Sequence, residues 1–233
     1  MRLLLTSGGV TNASIRAALV ELLGKPIEES SALFVPTALY PFPGGAAAAW
    51  RAVTGASPVP LSGLGWQSLG LLELTALPSI RRDSWEPMLR ETDALLVFGG
   101  DVLYLRHWLQ ASGLAGLLPS LDRTVYVGVS AGSIVLTPYN CDADFDLQFV
   151  PEGSDRGESP TAGLGLVDFA LRVHLDREGE GFEDSTLAEV EKWAAGIPAP
   201  TYAIDDETAV KVVDGVVNVV SEGRWALLEP RQR

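Results

Sequence analysis

Val125-Tyr126-Val127-Gly128-Val129-Ser130-Ala131-Gly132-Ser133 joins a strand-like apolar run to a helix-like run through a serine flanked by small residues. A buried strand followed at once by a helix is the building unit of a parallel α/β sheet. A serine at such a junction sits in a tight turn. Glycines at 128 and 132 remove side chains that would clash there, and the turn lifts the hydroxyl clear of the backbone. The helix that follows, expected to begin over 133–136 and to stop near Pro138, directs the positive end of its dipole at the turn.

The same alternation extends in both directions. Upstream, 94–98 is the strongest strand, closed by Gly99-Gly100, and 102–109 reads as a helix with Asp101 at its entry. Residues 3–5 and 32–35 are short buried strands, the second ended by Pro36. Asn12 is placed to cap a helix running to Leu23, with Ile15, Ala18, Leu19 and Leu22 on one face. Helices are expected over 46–53 and 85–90, a strand in the second half of 66–74, and a further helical piece before Asp122. Downstream, 142–163 is rich in Asp, Glu, Gly, Ser and Pro and reads as a long irregular loop. A strand is expected over 171–175 and an amphipathic helix over 183–195. Three β runs follow at 202–204, 209–213 and 216–220, the last two joined at Asp214-Gly215 as a hairpin. The pattern predicts one α/β domain over 1–233, a mostly parallel sheet between two helical layers, with the hairpin at one edge.

The 233 residues suit a single domain of this class. A hydrophobic content of 47% against 20% charged residues is that of a folded chain. A net charge of −13 repels phosphates, so nucleic acid and anionic membrane are not expected partners. No apolar stretch is long enough for a membrane span, and the opening Met1-Arg2-Leu3-Leu4-Leu5-Thr6 is too short for a leader. The single cysteine, Cys141, cannot form an internal disulfide, and no Cys/His cluster suggests a metal cage. A cytoplasmic location with no metal and no cofactor is the simplest expectation.

A serine hydroxyl needs a base to act as a nucleophile at neutral pH. The chain has two histidines. His107 lies inside a helical run. His174 closes an apolar strand and leads into polar sequence, the position at which reacting groups gather in parallel sheets. His174 is therefore the candidate base. The partner that would orient it is open on these grounds. Asp176 and Glu178 are close in sequence, Asp142 and Asp144 lie on the long loop, and Asp205-Asp206-Glu207 follows another strand. The strand-end pair Asp205/Asp206 is the preferred choice. Ala131, just past the turn, offers a backbone N–H to an oxyanion, and Gly99-Gly100 could offer a second.

The set Phe98-Gly99-Gly100-Asp101, Gly128-Val129-Ser130-Ala131-Gly132-Ser133 and a later strand-end histidine resembles the S51 serine peptidases, the peptidase E (aspartyl dipeptidase) group with cyanophycinase as a relative. Residues 3–7 and 32–36 match the pattern too, so the resemblance covers nearly the whole chain. It implies a flavodoxin-like three-layer sandwich similar to class I glutamine amidotransferases. It implies Ser130 as nucleophile, His174 as base, and Gly100 and Ala131 as oxyanion donors. Peptidase E carries a glutamate in a Leu-Pro-Glu-Gly segment; here Ile204-Asp205-Asp206-Glu207 places Asp206 at that position. The chain also ends without the tail of the longer members. Selectivity for an N-terminal aspartate needs a cation for the side-chain carboxylate, and nothing in the sequence assigns Arg156, Arg172 or Arg177 to it.

The expected function is thus a serine-type hydrolase of dipeptides or short peptides, its partner a small peptide, with homodimer assembly an open option. An esterase or amidase with the same residues, and an idle homologue that binds a small molecule, are the alternatives. Amidotransferase chemistry would put cysteine where Ser130 stands.

Overall fold

The computed structural model describes residues 1–140, 163–179 and 182–230. A seven-stranded sheet forms its centre, in the order β3-β2-β4-β5-β1-β8-β9. Strands β1 (Arg2–Thr6), β2 (Ser31–Val35), β3 (Ser68–Leu71), β4 (Ala94–Val97) and β5 (Val125–Val129) run parallel. Strands β8 (Thr208–Val213) and β9 (Val216–Ser221) add an antiparallel hairpin beside β1. Its turn takes positive φ at Asp214 and Gly215 (48° and 83°), as a two-residue hairpin requires.

The near-continuous apolar runs of β4 and β5 are buried throughout because both sheet faces are covered. Side chains alternate between the faces. Leu3, Leu5, Leu95, Val97 and Tyr126 pack with α3 (Glu86–Glu91), α4 (Val102–Ala111), α5 (Leu114–Leu117) and α6 (Ala131–Ile134). Leu4, Phe34, Leu96, Val127 and Val129 pack with α1 (Ala13–Leu23) and α2 (Gly45–Val53). The result is the three-layer α/β sandwich expected from the sequence. Asn12 caps α1, its side chain accepting from the Ile15 N–H at 2.9 Å.

The later strands depart from the expectation. A separate three-stranded sheet holds β6 (Ala170–Arg172), β7 (Thr201–Ile204) and β10 (Trp225–Leu228), in the order β10-β7-β6. Strand β10 was not legible as a strand, since it is short and half exposed. Strand β6 stops at Arg172, short of the expected Leu175, because the chain turns through positive φ at His174 and Asp176. The helix expected over 183–195 divides into a 3-10 turn, Glu183–Ser185, and α7 (Leu187–Ala194), which Thr186 caps. The α6 helix starts two residues earlier than expected and has only four residues. Its dipole is correspondingly small, which weakens the expected contribution of a helix end. The expected loop over 142–163 lies, Gly163 excepted, outside the described residues, as do Cys141 and Arg156. Among the described residues no helix is long and apolar enough to cross a membrane.

Candidate active site

Each candidate residue leaves the carboxyl end of a strand, and two sheets contribute. Ser130 follows β5 and Gly100 lies just past β4 in the large sheet; His174 lies two residues beyond β6 and Asp206 two beyond β7 in the small one. The parallel pairing of β6 with β7 brings the last two together. His174 therefore reaches the site from a strand outside the main sheet, although the strand-end rule that singled it out still applies.

Ser130 has φ 50° and ψ −115°, a conformation that costs a non-glycine residue of order 1–3 kcal/mol. Neighbouring bonds hold it there. Its N–H donates to Thr6 O at 3.0 Å, and its carbonyl accepts from Ser133 and Ile134 at 2.8 and 3.0 Å. The buried Ser133 hydroxyl donates to the same Thr6 carbonyl at 2.8 Å. Gly132 is needed for close approach, since a Cβ there would meet Val97 O at 2.1 Å. Tyr126 donates its buried hydroxyl to Gly132 O at 2.6 Å, and burial raises that hydroxyl's pKa.

From this turn the Ser130 hydroxyl meets His174 Nε2 at 3.0 Å. On the other side of the ring, Nδ1 lies 2.6 Å from Asp206 Oδ1. Burial alone would raise the Asp206 carboxyl. Hydrogen bonds from His174 and Ser7, with the charges of His174 and Arg177, outweigh it and hold the group at about 2. Asp206 is thus ionised at neutral pH and can only accept. The proton of the neutral ring then sits on Nδ1, and Nε2 faces the Ser130 hydroxyl as an acceptor. Phe182 stands edge-on to the imidazole, with centroids 5.2 Å apart.

Two of the competing acids, Asp205 and Asp176, are engaged elsewhere, and Asp142 and Asp144 lie outside the described residues. Asp205 accepts from Glu207 N and Thr208 Oγ1, and Asp176 pairs with Arg224 at 2.7 Å and accepts from Leu187 N. His107 lies on α4 against Trp108, half-buried, with its pKa lowered by burial. Arg177 donates to Asp206 Oδ2 at 3.1 Å with its guanidinium 4.3 Å over the Phe182 ring, and Arg172 donates to Asp184 O.

Ala131 follows Ser130 in the chain, and Gly99, the neighbour of Gly100, lies against Ser130, where an added Cβ would meet the Ser130 Cβ at 3.0 Å. The Gly100 backbone has φ 139°, and a Cβ on it would meet Ala38 O at 2.1 Å. Neither the Gly100 nor the Ala131 N–H donates to another backbone carbonyl among the described residues. Asp101, next in sequence, caps α4 by accepting from Tyr104 N at 2.6 Å.

One residue at this centre has no local signature in the sequence. In the sequence Ser7 figures only as the last residue of the 3–7 segment that matches the family pattern, with Gly8-Gly9 turning the chain after it. In the structure it is fully buried, accepts from the His174 main-chain N–H at 2.9 Å, and donates to Asp206 Oδ1 at 2.5 Å. The following loop grips the same segment: Thr11 donates to Asp206 O and Asn12 to Glu207 O, each at 2.8 Å.

Comparisons with known proteins bear on this arrangement. Among solved structures, a candidate peptidase E protein from Listeria monocytogenes EGD-e has a TM-score of 0.62 at 19% identity, over 95% of this chain and 98% of its own. A peptidase from an acI-B1 actinobacterium also has a TM-score of 0.62, at 17% identity over 99% of this chain and 95% of its own. At such identities the likeness is one of fold. No curated protein matches the sequence significantly. The sequence profile of Peptidase family S51 matches residues 3–220, nearly the full length, and the chain belongs to that family.

Proposed function

We propose that the protein is a serine-type peptidase that hydrolyses dipeptides or short peptides through Ser130, His174 and Asp206. Membership of peptidase family S51 supports a hydrolase of the peptidase type in general. The finer reading rests on one observation: the continuous chain Ser130 Oγ to His174 Nε2 (3.0 Å) and His174 Nδ1 to Asp206 Oδ1 (2.6 Å), carried on a strained strand-to-helix turn.

His174 Nε2 takes the Ser130 proton as Oγ attacks the substrate carbonyl. Asp206, acceptor-only, fixes the ring tautomer and stabilises the imidazolium that forms. The N–H groups of Gly100 and Ala131 hold the carbonyl oxygen as its charge develops, a contribution worth about 3–4 kcal/mol per donor in such sites. The imidazolium then protonates the leaving amine, and water releases the acyl group from Ser130 by the reverse sequence.

The test is a panel of short peptides, with Asp-X dipeptides included, assayed with wild type and Ser130→Ala. Turnover of at least one peptide class, lost by orders of magnitude in the variant while its circular dichroism is unchanged, is expected. Wild-type rates in Ser130→Ala would overturn the assignment. Turnover of nitrophenyl esters with no peptide cleaved would move the substrate class to esters.

A further inference from the structure

We infer that Ser7 is a positioning residue of the reaction, a fourth member that sets the placement of His174 and the basicity of Asp206. The inference rests on the proposed roles of Ser130 and His174. It adds a residue that touches neither the nucleophile nor the reacting carbonyl.

The argument starts from the backbone of His174, whose φ is 59°. This is the left-handed region, disfavoured for a side chain of this size. A residue remains there only where its surroundings over-determine it. The Ser7 hydroxyl supplies one such constraint by accepting the His174 N–H at 2.9 Å. That N–H would otherwise lie beside a fully buried position without this partner. The ring direction follows from the main chain, so the bond bears directly on whether Nε2 reaches Ser130.

The second half of the argument concerns charge. A hydroxyl that accepts from one group still has a proton to give. Ser7 gives it to Asp206 Oδ1 at 2.5 Å, the same oxygen that faces His174 Nδ1 at 2.6 Å. Ser7 Oγ is also 3.1 Å from Nδ1. The Ser7 hydroxyl thus shares the carboxylate oxygen with the imidazole and lowers the basicity of that oxygen. Without Ser7, that carboxylate oxygen would be more basic and would hold the Nδ1 proton more strongly.

Position in the fold makes Ser7 suited to this role. It directly follows β1, the strand hydrogen-bonded to β5. Its neighbour Thr6 accepts from Ser130 N and Ser133 Oγ through its carbonyl. Two consecutive residues therefore hold the two halves of the site in register: Thr6 the nucleophile from the large sheet, Ser7 the base and acid from the small one.

Ser7→Ala, Ser7→Cys and Ser7→Thr test this without a known substrate. The readout is labelling of Ser130 by a fluorophosphonate probe as a function of pH. Labelling forms an Oγ–P bond, expels fluoride from phosphorus and passes the hydroxyl proton to His174. Ser7→Ala should label more slowly by on the order of 10- to 100-fold, and the acid limb of its pH profile should move to higher pH. Ser7→Cys leaves no cavity, replaces the hydroxyl with a slightly larger and weaker donor and should change in the same direction, which guards against a cavity effect in the alanine variant. Ser7→Thr keeps the hydroxyl and should recover part of the rate. In parallel, the downfield proton resonance of His174 Nδ1–H should shift between wild type and Ser7→Cys.

Wild-type labelling rates and an unmoved acid limb in both Ser7→Ala and Ser7→Cys would overturn the inference. So would a slowed variant whose acid limb and Nδ1–H resonance match wild type, since that pattern is purely structural. Failure of wild type itself to label would instead count against Ser130 as nucleophile, and the resonance would still decide whether Ser7 controls the His174–Asp206 pair.

Discussion

Ser130, His174 and Asp176 hold φ values of 50°, 59° and 57°, so two of the residues at the site or beside it come from the small sheet's turn and one from the large sheet's. Such conformations concentrate where surrounding structure forces them. At Gly100 the constraint is steric as well, with φ 139° and Ala38 O at 2.1 Å from any Cβ. Gly100→Ala should therefore displace the backbone beside Ser130. A fall in fluorophosphonate labelling on the order of 100-fold is expected from the loss of one oxyanion donor; an unchanged rate would remove Gly100 from that role. The acid limit of stability is a second prediction at this scale. Asp206 titrates at about 2 when folded, below the ~3.9 of an unfolded aspartate. A depressed carboxyl adds stability that is complete above the unfolded value and fades as pH falls toward the folded one. Between about pH 4 and pH 2 the wild-type urea midpoint should fall more steeply than that of Asp206→Asn. Parallel curves would show that the folded environment does not hold this carboxylate.

At the scale of elements, the turn between β5 and α6 depends on packing more than on helix length. Tyr126 reaches from the second residue of β5 to the Gly132 carbonyl at 2.6 Å. Tyr126→Phe removes that donor inside the core and should cost about 1–3 kcal/mol, read as a lowered urea midpoint. A midpoint equal to wild type would show that another donor takes the carbonyl. The elements legible in the sequence are those whose signal is local. The apolar runs of β4 and β5, the Asn12 cap and the Asp214-Gly215 turn each carry their cue within a few residues. In the small sheet the runs that become β6 and β7 were legible as strands, but β10 and the pairing of the three were not. Strand β6 has three residues and β10 four, and both depend on β7, from which they are distant in sequence. Placing His174 at a strand end was within reach of the sequence; the sheet to which that strand belongs was not. Among the acids, the residues themselves left Asp205 and Asp206 open and the family resemblance alone pointed to Asp206; in the structure Asp205 turns instead to Thr208 and Glu207. Ser7 was invisible because a serine in a glycine-rich turn looks the same whether its hydroxyl meets water or a carboxylate.

At the scale of the molecule, the site is a junction. The large sheet presents Ser130 and the small sheet presents His174 and Asp206, with the β1 end and the loop through Thr11 and Asn12 tying them together. The carboxyl ends of parallel strands meet there, as they do wherever open α/β sheets collect reacting groups. The net charge of −13 has a consequence at the same scale. An anionic peptide approaches against the overall field, so raising ionic strength should increase its kcat/KM where that constant is limited by encounter. A decrease with salt would indicate that local cations, Arg177 foremost, dominate the approach. The central claim is that Ser130 is an activated nucleophile. Treat the folded protein with a fluorophosphonate probe and locate the adduct by peptide mass spectrometry. One adduct on Ser130 is predicted for wild type, greatly slowed in His174→Ala and absent in Ser130→Ala. Well-folded wild-type protein that takes no adduct at Ser130, or takes it equally fast without His174, would contradict the account.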